Sequence, residues 1–200
     1  MIKAMKILPI ILLFASCDNA HIDEAETLIQ PLSIFRNCML GEINLVRTNP
    51  FLYAELRLKS EAEANTDNGS YKYLKSLRPV DSLSFNNQLN KSALEYATLL
   101  KDSLSHCFEG TPMSRARLAG YTGTIIGENI SGAAPIRFNA LQDAGKAAIE
   151  FVRILIIDEG VADLGHRYVI LDPKYKTVGI GYKRNKTGKY INYLVQLFGN

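Results

Sequence analysis

The chain of 200 residues holds 23 basic and 20 acidic side chains, a formal charge of +3, with three cysteines and no tryptophan. The positive excess is largely N-terminal: removing residues 1–16 takes away Lys3 and Lys6 and no acid, which leaves 21 basic against 20 acidic residues. No basic cluster remains to draw phosphates by counterion release, so nucleic acid is not expected as a partner, while about 180 residues suffice for one domain with its own core.

The first residues read as an export signal. Lys3 and Lys6 give a positive start, Ile7 to Ala15 is an apolar run broken by Pro9, and Ala15-Ser16 precede Cys17. That run is far shorter than the ~20 residues a membrane-spanning helix needs. Small residues directly before a cysteine look like the lipobox of bacterial lipoproteins, with Phe14 where Leu is usual. On this reading residues 1–16 are a lipoprotein signal peptide, Cys17 is acylated, and residues 17–33 tether the protein to a membrane surface. An ordinary secretion signal is the alternative. The domain then runs over 34–200. An exported chain meets an oxidising environment, in which Cys38 and Cys107 either pair or stay as buried free thiols.

Helical spacing begins near Ile34, with Met39, Ile43 and Val46 on one face. Asn49 caps a second helix that starts at Pro50 and runs to about Leu58. Ser60 to Ser70 is polar and reads as a surface loop, followed by a short helical turn at Tyr71 to Leu77. Asn86 or Asn87 caps an amphipathic helix whose stripe is Leu89, Ala93, Tyr96, Ala97 and Leu100, ending near Ser103. Residues 107–123 read as loop and Thr124 to Ile130 as strand. Asn139 to Ile156 reads as a helix with Ala140, Ala144, Ala147, Phe151 and Leu155 at helical spacing, and a loop spans Asp158 to His166. Val178, Ile180 and Tyr182 alternate, Asn185 to Gly188 turns, and Tyr190 to Phe198 returns as an apolar strand. Helices first and a closing hairpin last predict an α+β sandwich in a single domain.

Short segments recur through this frame. Ile43-Asn44-Leu45-Val46-Arg47 leads to Asn49-Pro50 and Tyr53-Ala54. Ser105-His106 follows, then Arg115 five residues before Gly120-Tyr121, and Gly127-Glu128-Asn129-Ile130. Gly165-His166-Arg167, Val178-Gly179-Ile180-Gly181 and Gln196-Leu197-Phe198-Gly199 complete the series. In this order and spacing they resemble the CAP superfamily, also called SCP-like, which takes in cysteine-rich secretory proteins, insect venom antigen 5 and plant pathogenesis-related proteins. The resemblance covers about residues 35–199. It implies an α-β-α sandwich with two histidines and two acids around a central cleft: His106, Glu128, His166 and an acid at the end of the preceding helix. Asp158 fits that last place best, three residues past Leu155, with Glu159 as the alternative. Leu155 stands where family members usually carry Trp, and Val169 where bacterial members often carry Asn, so the cleft wall is expected to differ.

Such a set suits more than one chemistry. Neutral imidazoles and carboxylates are good zinc ligands, and an open fourth position would hold an activated water. The candidate ligands for Zn²⁺ are His106, His166, Glu128 and Asp158, although their spacing lacks a short metal motif such as His-Glu-x-x-His. The same residues would equally form a buried polar network, with Gly127 permitting close backbone approach and Asn129 bracing a loop. A third reading sets Cys107 across a cleft from His166 as a thiol nucleophile, while Ser105 lacks a Gly-x-Ser-x-Gly elbow. Tyr121 and Tyr168 are candidates for lining a groove.

The N-terminal segment predicts an extracytoplasmic protein anchored to the cell envelope, and the resemblance, to a family with no single unifying reaction, implies binding of a ligand such as a lipid, sterol, glycan or envelope protein. A metal-dependent hydrolase or protease, with Glu128 or Asp158 as general base, is one alternative. A structural surface protein with a vestigial cleft is the other.

Overall fold

The computed structural model describes residues 24–64, 66, 68–133, 143–185 and 189–200. The signal segment 1–16, Cys17 and the start of the expected tether lie outside the described residues, as do positions 139–142 and 186–188 of the expected helix and turn. In chain order the elements are α1 (Glu24–Thr48), α2 (Pro50–Arg57), α3 (Lys59–Glu63), α4 (Ser70–Ser76), β1 (Ser84–Phe85) and α5 (Asn87–Leu99). They continue with α6 (Pro112–Leu118), β2 (Ile126–Ala133), α7 (Ala144–Ile157), α8 (Gly165–Leu171), β3 (Thr177–Arg184) and β4 (Asn192–Gly199). Among the described residues no helix is long and apolar enough to cross a membrane.

The strands form one sheet in the order β1-β3-β4-β2, with β1 parallel to β3 and the other neighbours antiparallel. Helices cover both faces. On one face the α1 stripe Phe35, Met39, Ile43 and Val46 packs with Phe151, Val152 and Leu155 of α7 over Val178, Ile180, Leu194 and Phe198. On the other, Leu89, Ala93, Tyr96 and Ala97 of α5 pack over Tyr193, Val195 and Leu197. Each such aliphatic or aromatic side chain taken out of water contributes about 1.5–3 kcal/mol. The α-β-α layering implied by the family resemblance is therefore present, and the alternation along β4 is what serves both cores.

β3 shows why its sequence reads Val-Gly-Ile-Gly. Val178 and Ile180 enter the α1/α7 core, whereas Gly179 and Gly181 lie directly beneath α5. A Cβ on either would stand 2.1 Å from main-chain atoms of Leu89 or Ala93. The helix can rest on the sheet because those two positions have no side chain. Asn90 completes the contact by accepting the Ile180 N–H at 2.9 Å.

Caps fall where the sequence puts them. Asn49 accepts from the Leu52 N–H with Pro50 at the first helical position, and Asn86 rather than Asn87 accepts from the Leu89 N–H. Other expectations need correction. α1 starts at Glu24, ahead of Ile34, so the later part of the expected 17–33 tether is helical; Glu, Ala, Leu and Gln there favour helix without marking a face. The expected 60–70 loop carries the end of α3, and the expected 107–123 loop carries α6, capped by Thr111 with Pro112 next. α5 ends at Leu99 rather than near Ser103. α8 has no counterpart among the expected elements, and it places His166 on a helix rather than at the end of a loop.

Candidate functional site

The four residues drawn from the motifs come together as two pairs. His106 follows the end of α5 in a turn whose Ser105 carbonyl accepts from the Tyr96 hydroxyl. Its Nδ1 lies 2.9 Å from Oε1 of Glu128 on β2. Glu128 Oε2 accepts from Arg115 Nη2, and Arg115 also donates to the carbonyls of His106 and Gly110. The guanidinium lies over the Tyr96 ring, 3.4 Å from its centroid. Burial raises the pKa of the Tyr96 phenol, with the nearby Arg115 charge pulling it the other way. α6 carries Arg115 to Glu128, and the side chain of Glu128 is only 2% exposed against 49% for His106.

The second pair forms between α7 and α8. Asp158 ends α7 in the left-handed region (φ 57°), and its carboxylate turns toward the start of α8. Oδ1 lies 2.6 Å from His166 Nδ1, and Oδ2 accepts the main-chain N–H of His166 at 3.0 Å and of Arg167 at 3.4 Å. The Asp158 side chain is 2% exposed and that of His166 21%. Arg167 turns away from the ring and is buried, donating to the carbonyls of Ile156 and Ile157 and to Ser70. It locks the end of α7 to the start of α4, which holds Asp158 in place. Asn129 on β2 reaches the His166 carbonyl and Gln196, both at 3.2 Å. Gly127 lies against Tyr175, whose hydroxyl would be 2.3 Å from a Cβ there. The bracing by Asn129 is as expected, while the group that approaches Gly127 is the Tyr175 side chain.

Because a carboxylate only accepts, each imidazole donates from Nδ1 and keeps Nε2 for another partner. Every carboxylate oxygen of Glu128 and Asp158 is already engaged by protein. The two imidazole Nε2 atoms are the ring donors left for a zinc ion, with carboxylates orienting the rings from behind. Among the described residues no group of three or more His, Cys, Asp and Glu side chains is arranged to hold a metal ion.

A cleft of about 510 Å³ opens beside the second pair. Asp158, Glu159 and His166 lie on its wall with Leu104, Ile130, Ser131, Gly132 and Val161, and the end of α7 supplies Ile154, Leu155 and Ile157 together with the charged Arg153. Leu155, where the family usually has Trp, is part of this wall, so the cleft has an aliphatic surface there. Of the two candidate acids, Asp158 is the one paired with an imidazole. His106 and Glu128 are not among the residues of this wall, and the four motif residues meet as two histidine–acid pairs near β2.

The nucleophile reading finds no support in the geometry. Cys107 is exposed, its N–H donates to Ser105 Oγ, and among the described residues neither side chain bonds to an imidazole. Cys38 packs against the α1/α7 core, and both thiols are free rather than paired. Tyr121 is buried, its hydroxyl joining Ile125 to Asn200, and Tyr168 lines a separate hollow with Tyr73, Leu77 and Leu171. Arg115, Tyr96 and Arg167 are the site residues to which sequence reasoning assigns no role. Arg115 and Arg167 stand within the quoted motifs, which is the available signal.

The family described as CAP, Cysteine-rich secretory protein family, matches residues 40–198. No curated protein matches the chain. Among solved structures, an extracellular protein containing a SCP domain from Bacillus anthracis str. Ames shares 20% identity over 68% of this chain and 38% of its own length, with a TM-score of 0.41. An outer surface protein from Borrelia burgdorferi shares 17% identity over 71% of this chain and 93% of its own, with a TM-score of 0.43. The chain thus spans well under half of the Bacillus protein. With a family match over most of its length and a sheet covered by helices on both faces, the chain belongs to the CAP, or cysteine-rich secretory protein, family.

Proposed function

We propose that this CAP-domain chain is an extracytoplasmic protein, lipid-anchored at Cys17, that binds a ligand or envelope component in the cleft beside Asp158 and His166. One observation carries the reading. A buried carboxylate fixes one nitrogen of the His166 ring at 2.6 Å, which leaves the other nitrogen for a ligand on the wall of an aliphatic cleft. Lipid, sterol, glycan and envelope protein are the ligand classes proposed for a hollow whose wall mixes aliphatic side chains with Ser131, Arg153, Asp158, Glu159 and His166. Export and anchoring are supported by the short apolar run that ends at Ala15-Ser16-Cys17 and by the secretory description of the family.

Zinc is a further reversible occupant on this reading. His106, His166, Glu128 and Asp158 are its candidate ligands, and it would supply Lewis acidity to a bound water. The Asp158–His166 contact also favours a second reading, a hydrolase, because an acid-braced imidazole is half of a general-base system.

The test takes purified protein with His106→Ala and His166→Ala beside it. Binding to lipid, sterol and glycan panels is measured, and peptide and ester turnover is followed with zinc or with a chelator. Binding that His166→Ala abolishes, with no turnover, supports the proposal. Turnover abolished by either substitution selects the hydrolase, and a folded protein with neither activity leaves a structural role. A zinc-dependent rise in melting temperature that is lost in the alanine variants marks metal binding. Mass spectrometry of the mature N-terminus decides the anchor: an unmodified Cys17 rejects it.

A further inference from the structure

β2 is an outer strand of the sheet, paired on one side with β4. The phase of that pairing follows from the hairpin end of β4. Asn185 donates its N–H to the Ile191 carbonyl at 2.7 Å, which makes them a hydrogen-bonded pair. Alternation through the register then turns the main-chain groups of Asn129 and Ser131 toward β4, and those of Glu128, Ile130 and Gly132 toward the open edge. Ile130 and Gly132 line the cleft, and Ile130 is buried. Among the described residues nothing bonds to their outward N–H and C=O groups. An open strand edge presents a row of main-chain donors and acceptors that an added strand can pair.

Resting on the cleft reading above, we infer that the ligand is an extended polypeptide that adds as a strand to the open edge of β2, with an apolar side chain inserted into the hollow. The choice of class follows from the wall. A lipid tail would fill the space beside Ile154, Leu155 and Ile157 but leave the main-chain donors and acceptors unpaired. A glycan would serve the polar groups and waste the aliphatic surface. A strand does both, since its main chain pairs at every second residue while alternate side chains stand perpendicular to it. The outward groups of Glu128, Ile130 and Gly132 match a segment of about five residues at about 3.4 Å per residue. Asp158 and His166 stand on the same wall, where Nε2 meets a polar group of that segment.

The experiment selects a randomised library of seven-residue segments on the full chain. Enriched sequences are then made as capped peptides in three forms: unmodified, and N-methylated at one or the other alternate set of residues. The unmodified peptide is expected to slow hydrogen exchange at the Ile130 and Gly132 amides at least about tenfold. One N-methylated set is expected to weaken binding at least about tenfold, and the other, facing away from β2, to leave it within about twofold. Equal binding by all three forms, with no protection at Ile130 and Gly132, overturns strand addition; the cleft reading then stands if His166 resonances still shift. Failure to enrich any sequence also overturns it, and the lipid, sterol and glycan panels decide separately whether the cleft binds anything.

Discussion

Arg115 donates at once to two main-chain carbonyls and to the buried Glu128, with its flat face on Tyr96. Arg115→Ala would leave the Glu128 carboxylate without its buried cation, a loss of about 3–5 kcal/mol in urea unfolding. A loss under about 1 kcal/mol would mean that Glu128 is solvated and the site is built otherwise. Arg115→Lys should rescue little, because a point charge cannot span the three acceptors. Arg47 makes a similar argument outside the site. It is fully buried at the end of α1 and donates to the carbonyls of Asp81, Ile170, Asp172 and Tyr175. Arg47→Ala orphans these acceptors, at about 1–3 kcal/mol for each that stays dry, so at least about 3 kcal/mol is expected. At this scale the sequence motifs single out His106, Glu128, Asp158 and His166, which form two histidine–acid contacts. They do not reveal that the arginines do the holding. Most of their acceptors are main-chain carbonyls, as far as 128 positions away, and carbonyls leave no mark in residue identity.

Elements are legible where a periodic apolar face exists and hidden where it does not. α5 and α7 carry such faces and are expected from them, whereas α6 and α8 are seven residues each and make too few turns to display a period. The hidden α8 matters because its first turn is what aligns the His166 ring with Asp158. β3 gives the sharpest prediction among the elements. Gly179→Ala or Gly181→Ala forces a Cβ into the main chain of α5 rather than into a movable side chain. Each should cost about 1–3 kcal/mol or more, measured by chemical denaturation, and a neutral result would show that α5 can lift off the sheet. The junction of α2 and α4 gives a pH dependence. Hydrogen bonds from Lys75, then from Tyr71, hold the Glu55 carboxyl below its ordinary value near 4.5. That stabilisation is fully present above the ordinary value and is lost as pH falls through the lower folded one. Glu55→Gln should therefore flatten the acid limb of the stability profile, and an unchanged limb would remove Glu55 from the account.

At the scale of the molecule the α-β-α architecture is within reach of the sequence, because both cores are written as alternation in the last strand and as stripes on α1 and α5. The division of the site into two pairs is not. Spacing along the chain cannot tell whether Glu128 faces the α5 side of the sheet while Asn129 faces the other, yet that alternation decides which histidine each residue meets. The free thiols give a whole-molecule prediction. With Cys38 and Cys107 unpaired, adding a reductant should leave the melting temperature unchanged, and a clear fall would reveal a covalent link between them. The tertiary setting of Asp158 provides the decisive comparison. Its left-handed backbone suits glycine, so Asp158→Gly removes the carboxylate while keeping the end of α7. Nitrogen-15 spectra of the histidine rings in the full chain then read the His166 tautomer directly. The account predicts Nδ1–H with a bare Nε2 in the native protein, and a shift toward Nε2–H in Asp158→Gly together with weaker ligand binding. The same ring spectrum in both proteins would contradict it.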